Sequence, residues 1–330
     1  MGKIFVLIGL LIVNISCSQS SKIDVDMEYN EEFIKKNGDY EKLLVSSTSL
    51  YIFTHQYDES FKNQHIKIFE RKLNNSIGNS KLLGKLQGRI SFAFSEDNSG
   101  TIILGIWDLN NFLVYRYSSG IITKLFEHEN HIVWYDAVRN LFYDGYSLYR
   151  VQGNEKIKLT EKSTNSSYRL FGENVYKLSD KEGITQLEEL DASLETKKII
   201  FSTDKKLNLD FRISDSVTFY FLQGTAESKI NLVQYRKNSF TTLMDNIDNI
   251  SDDGFYVYKD LIGLITYKVD ESMLGGFGGT RKSVIYSKDG GKVFNELNLE
   301  KGTLVPPYIF YKDSLFVGNL GNGILAKANL

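Results

Sequence analysis

The feature that most constrains this chain is a recurrence of short apolar runs, four to nine residues long, each bounded by Gly, Asn, Asp or Ser. They fall at residues 50–54, 65–70, 90–94, 101–107, 112–117 and 121–126, and again at 175–178, 217–222, 229–235, 255–258, 261–269, 283–287, 308–311 and 314–317. Runs of this length, rich in Ile, Val, Phe, Tyr and Thr and punctuated by turn formers, read as β-strands. Helical spacing is scarce. Residues 187–194 come nearest, but Glu188, Glu189 and Asp191 interrupt the stripe, and residues 31–36 offer a single helical turn. The chain is expected to be all-β.

The strands recur in blocks. A small residue, an aliphatic and an aromatic open several of them: Ser49-Leu50-Tyr51, Ser147-Leu148-Tyr149, Asn174-Val175-Tyr176 and Ser314-Leu315-Phe316, with Ser99-Gly100-Thr101-Ile102-Ile103 as a looser copy. From Leu50 to Ile102 to Leu148 the steps are 52 and 46 residues. A period of roughly 40–50 residues carrying four strands is the signature of a β-propeller. Residues 40–330 would hold six or seven four-stranded blades. A strand from around residues 43–54 is expected to close the ring beside 314–325, removing the sheet edges of a linear array. A hydrophobic content of 42% supplies the core.

The first seventeen residues are of another kind. Met1-Gly2-Lys3 precedes an apolar run over residues 4–13, and Asn14-Ile15-Ser16-Cys17 ends it. That run is too short to span a bilayer and reads as a secretory signal. The segment resembles a bacterial lipoprotein signal, in which the cysteine is diacylated and, after cleavage on its amino side, becomes residue one. The resemblance implies that residues 1–16 are removed, that Cys17 is the lipidation site, and that residues 17–39 tether the domain to a membrane. Ser18 after the cysteine implies outer-membrane sorting in a two-membrane cell. Cys17 is the sole cysteine, so the exported domain would be held by core burial without disulfides.

Ser287-Lys288-Asp289-Gly290-Gly291-Lys292-Val293-Phe294 lies between two strand-like runs. It resembles the Asp-box, or BNR repeat, of sialidases and many other propellers. Its physics is local: Asp289 accepts backbone N–H groups just ahead of it, Ser287 ties the turn from the other side, Gly291 supplies left-handed angles, and Phe294 returns the chain to the sheet. The resemblance implies a structural device between the outer strands of a blade, away from the binding face, so Asp289 is read as non-catalytic.

Chemistry is sparse elsewhere. Phe211-Arg212-Ile213-Ser214 and Gly88-Arg89-Ile90-Ser91 each resemble part of the phrase carrying a sialidase arginine. The only histidine cluster, Glu127-His128-Glu129-Asn130-His131, points its two imidazoles to opposite faces in a strand or turn and reads as a solvated loop, so no metal is expected. The glycine-rich stretch 273–282 lacks a P-loop ending and reads as a long loop with Phe277 at its tip. Trp107, Trp134 and Tyr135 are read as interblade packing. A net charge of −2 argues against nucleic-acid binding. The expectation is a lipid-anchored envelope propeller without cofactor that binds a protein or glycan, as an assembly factor or immunity lipoprotein would. A surface glycoside hydrolase of sialidase-like type is the alternative.

Overall fold

The computed structural model describes residues 25–29, 31–57, 64–73, 79–96, 101–108, 111–153, 155–191, 193–225, 229–269, 280–297, 307–318 and 324–330. Strand β1 (Val25–Tyr29) and helix α1 (Glu31–Asn37) come first. Blade 1 is β2 (Asp39–Val45), β3 (Ser49–Tyr57), β4 (Gln64–Lys72) and β5 (Lys81–Gln87). Blade 2 is β6 (Arg89–Glu96), β7 (Thr101–Asp108), β8 (Asn111–Ser118) and β9 (Ile121–His128). Blade 3 is β10 (Trp134–Asp136), β11 (Leu141–Tyr143), β12 (Leu148–Gln152) and β13 (Glu155–Lys158). Blade 4 is β14 (Ser166–Phe171), β15 (Asn174–Lys181), β16 (Ile184–Leu190) and β17 (Thr196–Thr203). Blade 5 is β18 (Phe211–Asp215), β19 (Thr218–Gly224), β20 (Ile230–Arg236) and β21 (Ser239–Ile247). Blade 6 is β22 (Asn249–Tyr258), β23 (Leu261–Val269), β24 (Thr280–Ser287) and β25 (Asn295–Leu297). Blade 7 combines β26 (Tyr308–Tyr311), β27 (Ser314–Gly318) and β28 (Ile324–Asn329) with β1 as its outermost strand.

All seven sheets are four-stranded and antiparallel, so the fold is a seven-bladed β-propeller. First strands adjoin across blades, β2 against β6 and β26, β14 against β18, and β18 against β22. Second strands are covered by neighbouring blades on both faces. That is why Thr101–Asp108 and Thr218–Gly224 read as nearly unbroken apolar runs and are buried along most of their length. Fourth strands form the rim, and β13, Glu-Lys-Ile-Lys, is exposed throughout.

The core is a ring of seven slabs, one per blade interface. Ile102, Leu104 and Ile106 face blade 1, whereas Ile103 on the same strand packs with Phe142 of blade 3. Phe219 and Phe221 turn toward blade 4, and Tyr220 and Leu222 toward blade 6. Between blades 7 and 1, Phe316 joins Tyr40, Leu43 and Ile34 of α1. Period-two alternation thus serves two separate slabs from one strand.

Two expectations are corrected. The closing strand is not residues 43–54, which form the first two strands of a complete blade 1. It is Val25–Tyr29, paired with Ile324–Asn329 from Val25↔Ala328 to Tyr29↔Ile324. The propeller therefore starts inside the stretch 17–39 expected to be tether, because β26–β28 lack an outer strand and only the segment ahead of blade 1 supplies it. Leu187–Leu190, the first half of the stretch 187–194 that came nearest to helical spacing, lie in β16, in line with the all-β reading.

An engineered disulfide tests the closure. In a Cys17→Ser background, Met27→Cys with Ala326→Cys and Glu28→Cys with Leu325→Cys place thiols on directly opposed positions. Adjacent pairs alternate between hydrogen-bonded and non-hydrogen-bonded geometry. One of the two variants should oxidise readily and gain about 2–5 kcal/mol over its reduced form. Non-reducing electrophoresis and paired melts check this; failure of both pairs to cross-link would refute the register.

Candidate functional site

Strand polarity gives the ring two faces. At the upper face each first strand begins and each second strand hands over to the third. At the lower face lie the turns joining first to second and third to fourth strands. A polar cluster gathers among the first strands of blades 1–3, and two β-bulges build it. In β2 the register slips between Tyr40 and Lys42, and in β6 between Ile90 and Phe92, leaving Glu41 and Ser91 as the extra residues. A bulged residue is freed from the pleat and its side chain is re-aimed. Glu41 of blade 1 reaches the start of blade 2, where Arg89 Nε donates to its Oε1 at 3.2 Å and the Ile90 amide also donates to the carboxylate. Lys42 Nζ donates to the Ser91 carbonyl at 2.9 Å, and Ser91 Oγ contacts His131 Nε2 of the segment before blade 3.

The Glu41 side chain is only 10% exposed, and its Oε2 faces His55 Nδ1 at 4.0 Å. Among the described residues neither atom has a hydrogen-bond partner. Burial pushes the Glu41 carboxyl up to about 7, against the opposing pull of Arg89, Lys42 and the Ile90 amide. Burial also lowers His55, with Asp39 opposing, and lowers His131 beside Lys42. Near neutral pH the cluster therefore holds two neutral imidazoles and a carboxyl close to its midpoint, which can store or release one proton.

Blades 4–6 carry a cationic counterpart. Arg169 on β14 donates through Nη2 to Asp210 Oδ1 at 2.6 Å, and Arg212 Nη1 donates to the same oxygen. Arg212 also donates through Nε to the Phe255 carbonyl of blade 6 at 2.8 Å, with its guanidinium over the Phe255 ring. Burial resists charge on Asp210, but the two guanidiniums outweigh it and lower the carboxyl. The arginines of both sialidase-like phrases, Arg89 and Arg212, thus bond to carboxylates of their own chain.

His128 departs from the solvated-loop expectation. It is buried, with its ring edge-on to Phe142 and Tyr149 of blade 3 and Nε2 3.3 Å from Asp144 Oδ2. Asp144 is itself buried. Burial disfavours its charge, yet His128, the Ser147 and Tyr146 amides and Asn130 hold its carboxyl at about 2. His131 turns elsewhere, toward Ser91 and the Phe112 ring. No group of three or more His, Cys, Asp or Glu suited to a metal exists among the described residues.

The segment Ser287–Phe294 joins β24 to β25 on the lower face, opposite the polar cluster. Asp289 Oδ1 accepts the Lys292 amide at 3.0 Å, the Val293 amide at 3.1 Å and the Ser287 hydroxyl at 2.8 Å. The Gly291 amide donates to Ser287 Oγ at 2.9 Å, and the Gly290 amide donates to the Asp260 carbonyl at 2.9 Å, binding the blade's two lower turns together. The Val293 amide and the Ser287 hydroxyl lower the Asp289 carboxyl. Gly291 has φ 95°, and a Cβ there would lie 2.5 Å from Leu243 Cδ1. Phe294 packs on the slab between blades 5 and 6.

Cys17 and residues 273–279, with Phe277, lie outside the described residues. Trp134 and Tyr135 pack between blades; Trp134 Nε1 donates to the Tyr168 carbonyl of blade 4 at 2.8 Å. Trp107 is instead partly exposed at the upper end of β7. Glu41 and His55 were not singled out by motif; the bulge in β2 re-aims Glu41 toward Arg89 and His55.

Comparison with protein-family profiles and with characterised proteins finds no match. Solved structures do match. The WD40 domain of Toxoplasma gondii coronin superposes with a TM-score of 0.54 at 8% identity, covering 94% of this chain and 87% of that one. A puromycin hydrolase mutant complexed with PGG gives 0.52 at 6% identity over 87% of this chain, and a prolyl endopeptidase gives 0.45 at 9% over 75%. This chain spans 50% of the hydrolase chain and 39% of the endopeptidase chain. At such identities the likeness defines the fold alone, the β-propeller.

Two outcomes are expected. A carboxyl whose folded pKa is raised stabilises the fold below its unfolded value near 4.5 and loses that contribution as pH rises through about 7. Wild-type stability should therefore fall by about 2–4 kcal/mol relative to Glu41→Gln across that window. Denaturant titrations at pH 4.5 and pH 8 measure it, and parallel pH profiles would refute it. At the lower turn, Asp289→Ala should cost about 1–2 kcal/mol, discounted for its exposure. Gly291→Val should cost at least as much, and unchanged melting in both would remove the turn from the account.

Proposed function

We propose that this protein is a binding module, a propeller held to the cell envelope by lipid on Cys17 and presenting its upper face to a protein or glycan partner. One observation carries the reading. Three consecutive blades each expose an aromatic ring where the second strand gives way to the third: Tyr57 at 49%, Trp107 at 36% and Tyr146 at 40%. Part-exposed rings at the same place in successive blades suit contact with a partner, since aromatic residues are enriched at the cores of protein interfaces. They offer large area for little conformational entropy, which suits a peptide surface or a sugar face. The charged groups near the first strands are largely engaged with one another, so they stiffen the platform. The motif at Ser287–Phe294 is read here as an Asp-box that fixes blade 6.

A second reading, the glycoside hydrolase, is favoured by Glu41 alone. A carboxyl held near neutrality beside an arginine and a histidine is what a glycosidic general acid needs.

The two readings separate in one set of samples. The mature lipoprotein in detergent captures its partner from envelope extract, the partner is identified, and affinity is then measured with purified components. Trp107→Ala combined with Tyr57→Ala should weaken binding on the order of tenfold or more at temperatures where the double variant remains folded. Equal affinity in the double variant would end the upper-face assignment. Turnover of fluorogenic glycosides that disappears in Glu41→Gln would establish the hydrolase instead.

A further inference from the structure

The geometry points to a second working surface: we infer that the lower face of blades 5–7 lies against the bilayer holding the anchor and turns the upper face away from it. The inference rests on the reading of Cys17 as the lipidation site. Strand polarity carries it. β28 descends from Ile324 at the upper face to Asn329 at the lower, and β1 is antiparallel to it, so Val25 enters blade 7 from the lower face. Cys17 precedes Val25 by eight residues, a reach of at most about 26–29 Å when fully extended. Climbing past the five-residue β1 to put the upper face on the membrane would use about 17 Å of that reach. The short path leads to the lower face of blade 7.

The chemistry of the lower turns around that point fits a headgroup layer. Val217 of blade 5 and Val293 of blade 6 stand 57% and 59% exposed at turn tips, and Tyr258 is exposed between them in chain order. Lys237, Lys259, Lys288, Lys292 and Lys312 occupy the lower turns of blades 5, 6 and 7, all exposed. Lys259 lies 5.4 Å from the centre of the Tyr258 ring and Lys312 5.1 Å from that of Tyr311, amphipathic pairs of the kind that sit at a membrane interface. Asp215, Asp260, Asp289 and Asp313 share these turns, but Asp289 is committed to the Lys292 and Val293 amides and Asp215 to the Val217 amide. These carboxylates keep their charge, so the five lysines leave the turns weakly positive toward lipid phosphates while the valines dip among the headgroups.

Depth measurement on the full lipidated chain tests this in vesicles of phosphatidylethanolamine and phosphatidylglycerol. Acylated Cys17 has no free thiol, so a single new cysteine reports its own position. Val217→Cys and Val293→Cys mark the lower face; Ile184→Cys and Tyr57→Cys mark the upper. With an environment-sensitive fluorophore on each, a headgroup-level quencher should quench the lower pair several-fold more than the upper pair. The triple variant Lys259→Glu, Lys292→Glu and Lys312→Glu should reduce that difference. Equal quenching at both faces, or stronger quenching above, overturns the orientation while leaving the anchor intact. Intact mass of the vesicle-bound protein reads acylation separately: a protein without acyl chains refutes the anchor reading, and the orientation falls with it.

Discussion

Everything in this molecule depends on one set of backbone hydrogen bonds, those between β1 and β28. Six blades are made from contiguous segments, and the seventh is incomplete until Val25–Tyr29 joins it. Without that strand, β28 would present an open edge, and the chain ahead of blade 1 would have no sheet to join. The pairing also sets the seventh interface. α1 follows β1 directly and leads into β2, where Ile34 and Tyr40 meet Phe316 of blade 7. A propeller has no central core to fall back on; each slab exists only because both neighbouring blades are held at the right angle.

Polar bonds between blades supply what apolar slabs cannot, a fixed register from blade to blade. They recur around the ring: Arg89 to Glu41, Trp134 Nε1 to the Tyr168 carbonyl, Tyr143 OH to the Ser166 carbonyl, Arg169 to Asp210, Ser214 Oγ to the Lys259 carbonyl, and the Lys312 amide to Tyr256 OH. Each is worth only about 1 kcal/mol net, but breaking one would strand a poorly hydrated group. Apolar contact permits neighbouring sheets to slide, and directional bonds penalise it. The same groups that lock the blades are those a catalytic reading would call on, so the upper cluster is both hinge pin and candidate site.

The fold was legible where burial acts on both faces of a strand. Second strands such as Thr101–Asp108 and Leu261–Val269 are buried over their first six residues and show there as apolar runs. The rim strands are half in water and their pattern fades, as in Glu155–Lys158. Repetition was legible only in part: Ser49-Leu50-Tyr51 and Ser314-Leu315-Phe316 open second strands, but Ser147-Leu148-Tyr149 opens the third strand of blade 3. The helix-like spacing of Leu187 and Leu190 has a physical origin: an odd offset puts them on opposite faces of β16, Leu187 in the slab between blades 4 and 5 and Leu190 in that between blades 3 and 4. The lower turn around Asp289 is a local hydrogen-bond pattern, and local patterns can be read from neighbours in sequence. The site around Glu41 could not be. It requires a bulge in β2, another in β6, and a partner at position 89, none of which leaves a mark on the surrounding residues.

The closing strand has a further mechanical property if lipid is attached at Cys17. A pull from the membrane would arrive at Val25 along the axis of β1, since that strand runs from the lower face upward beside β28. Load along a strand axis shears the whole pairing from Val25↔Ala328 to Tyr29↔Ile324 at once, whereas load across it would unzip one bond after another. The next element, α1, adds Ile34 at the slab between blades 7 and 1, so the pull is shared by packing as well as by hydrogen bonds. An anchor on the opposite end of β1, or one leaving from a rim turn, would lack this. With lipid at Cys17, the pairing that closes the ring would thus bear the load in shear rather than unzip under it.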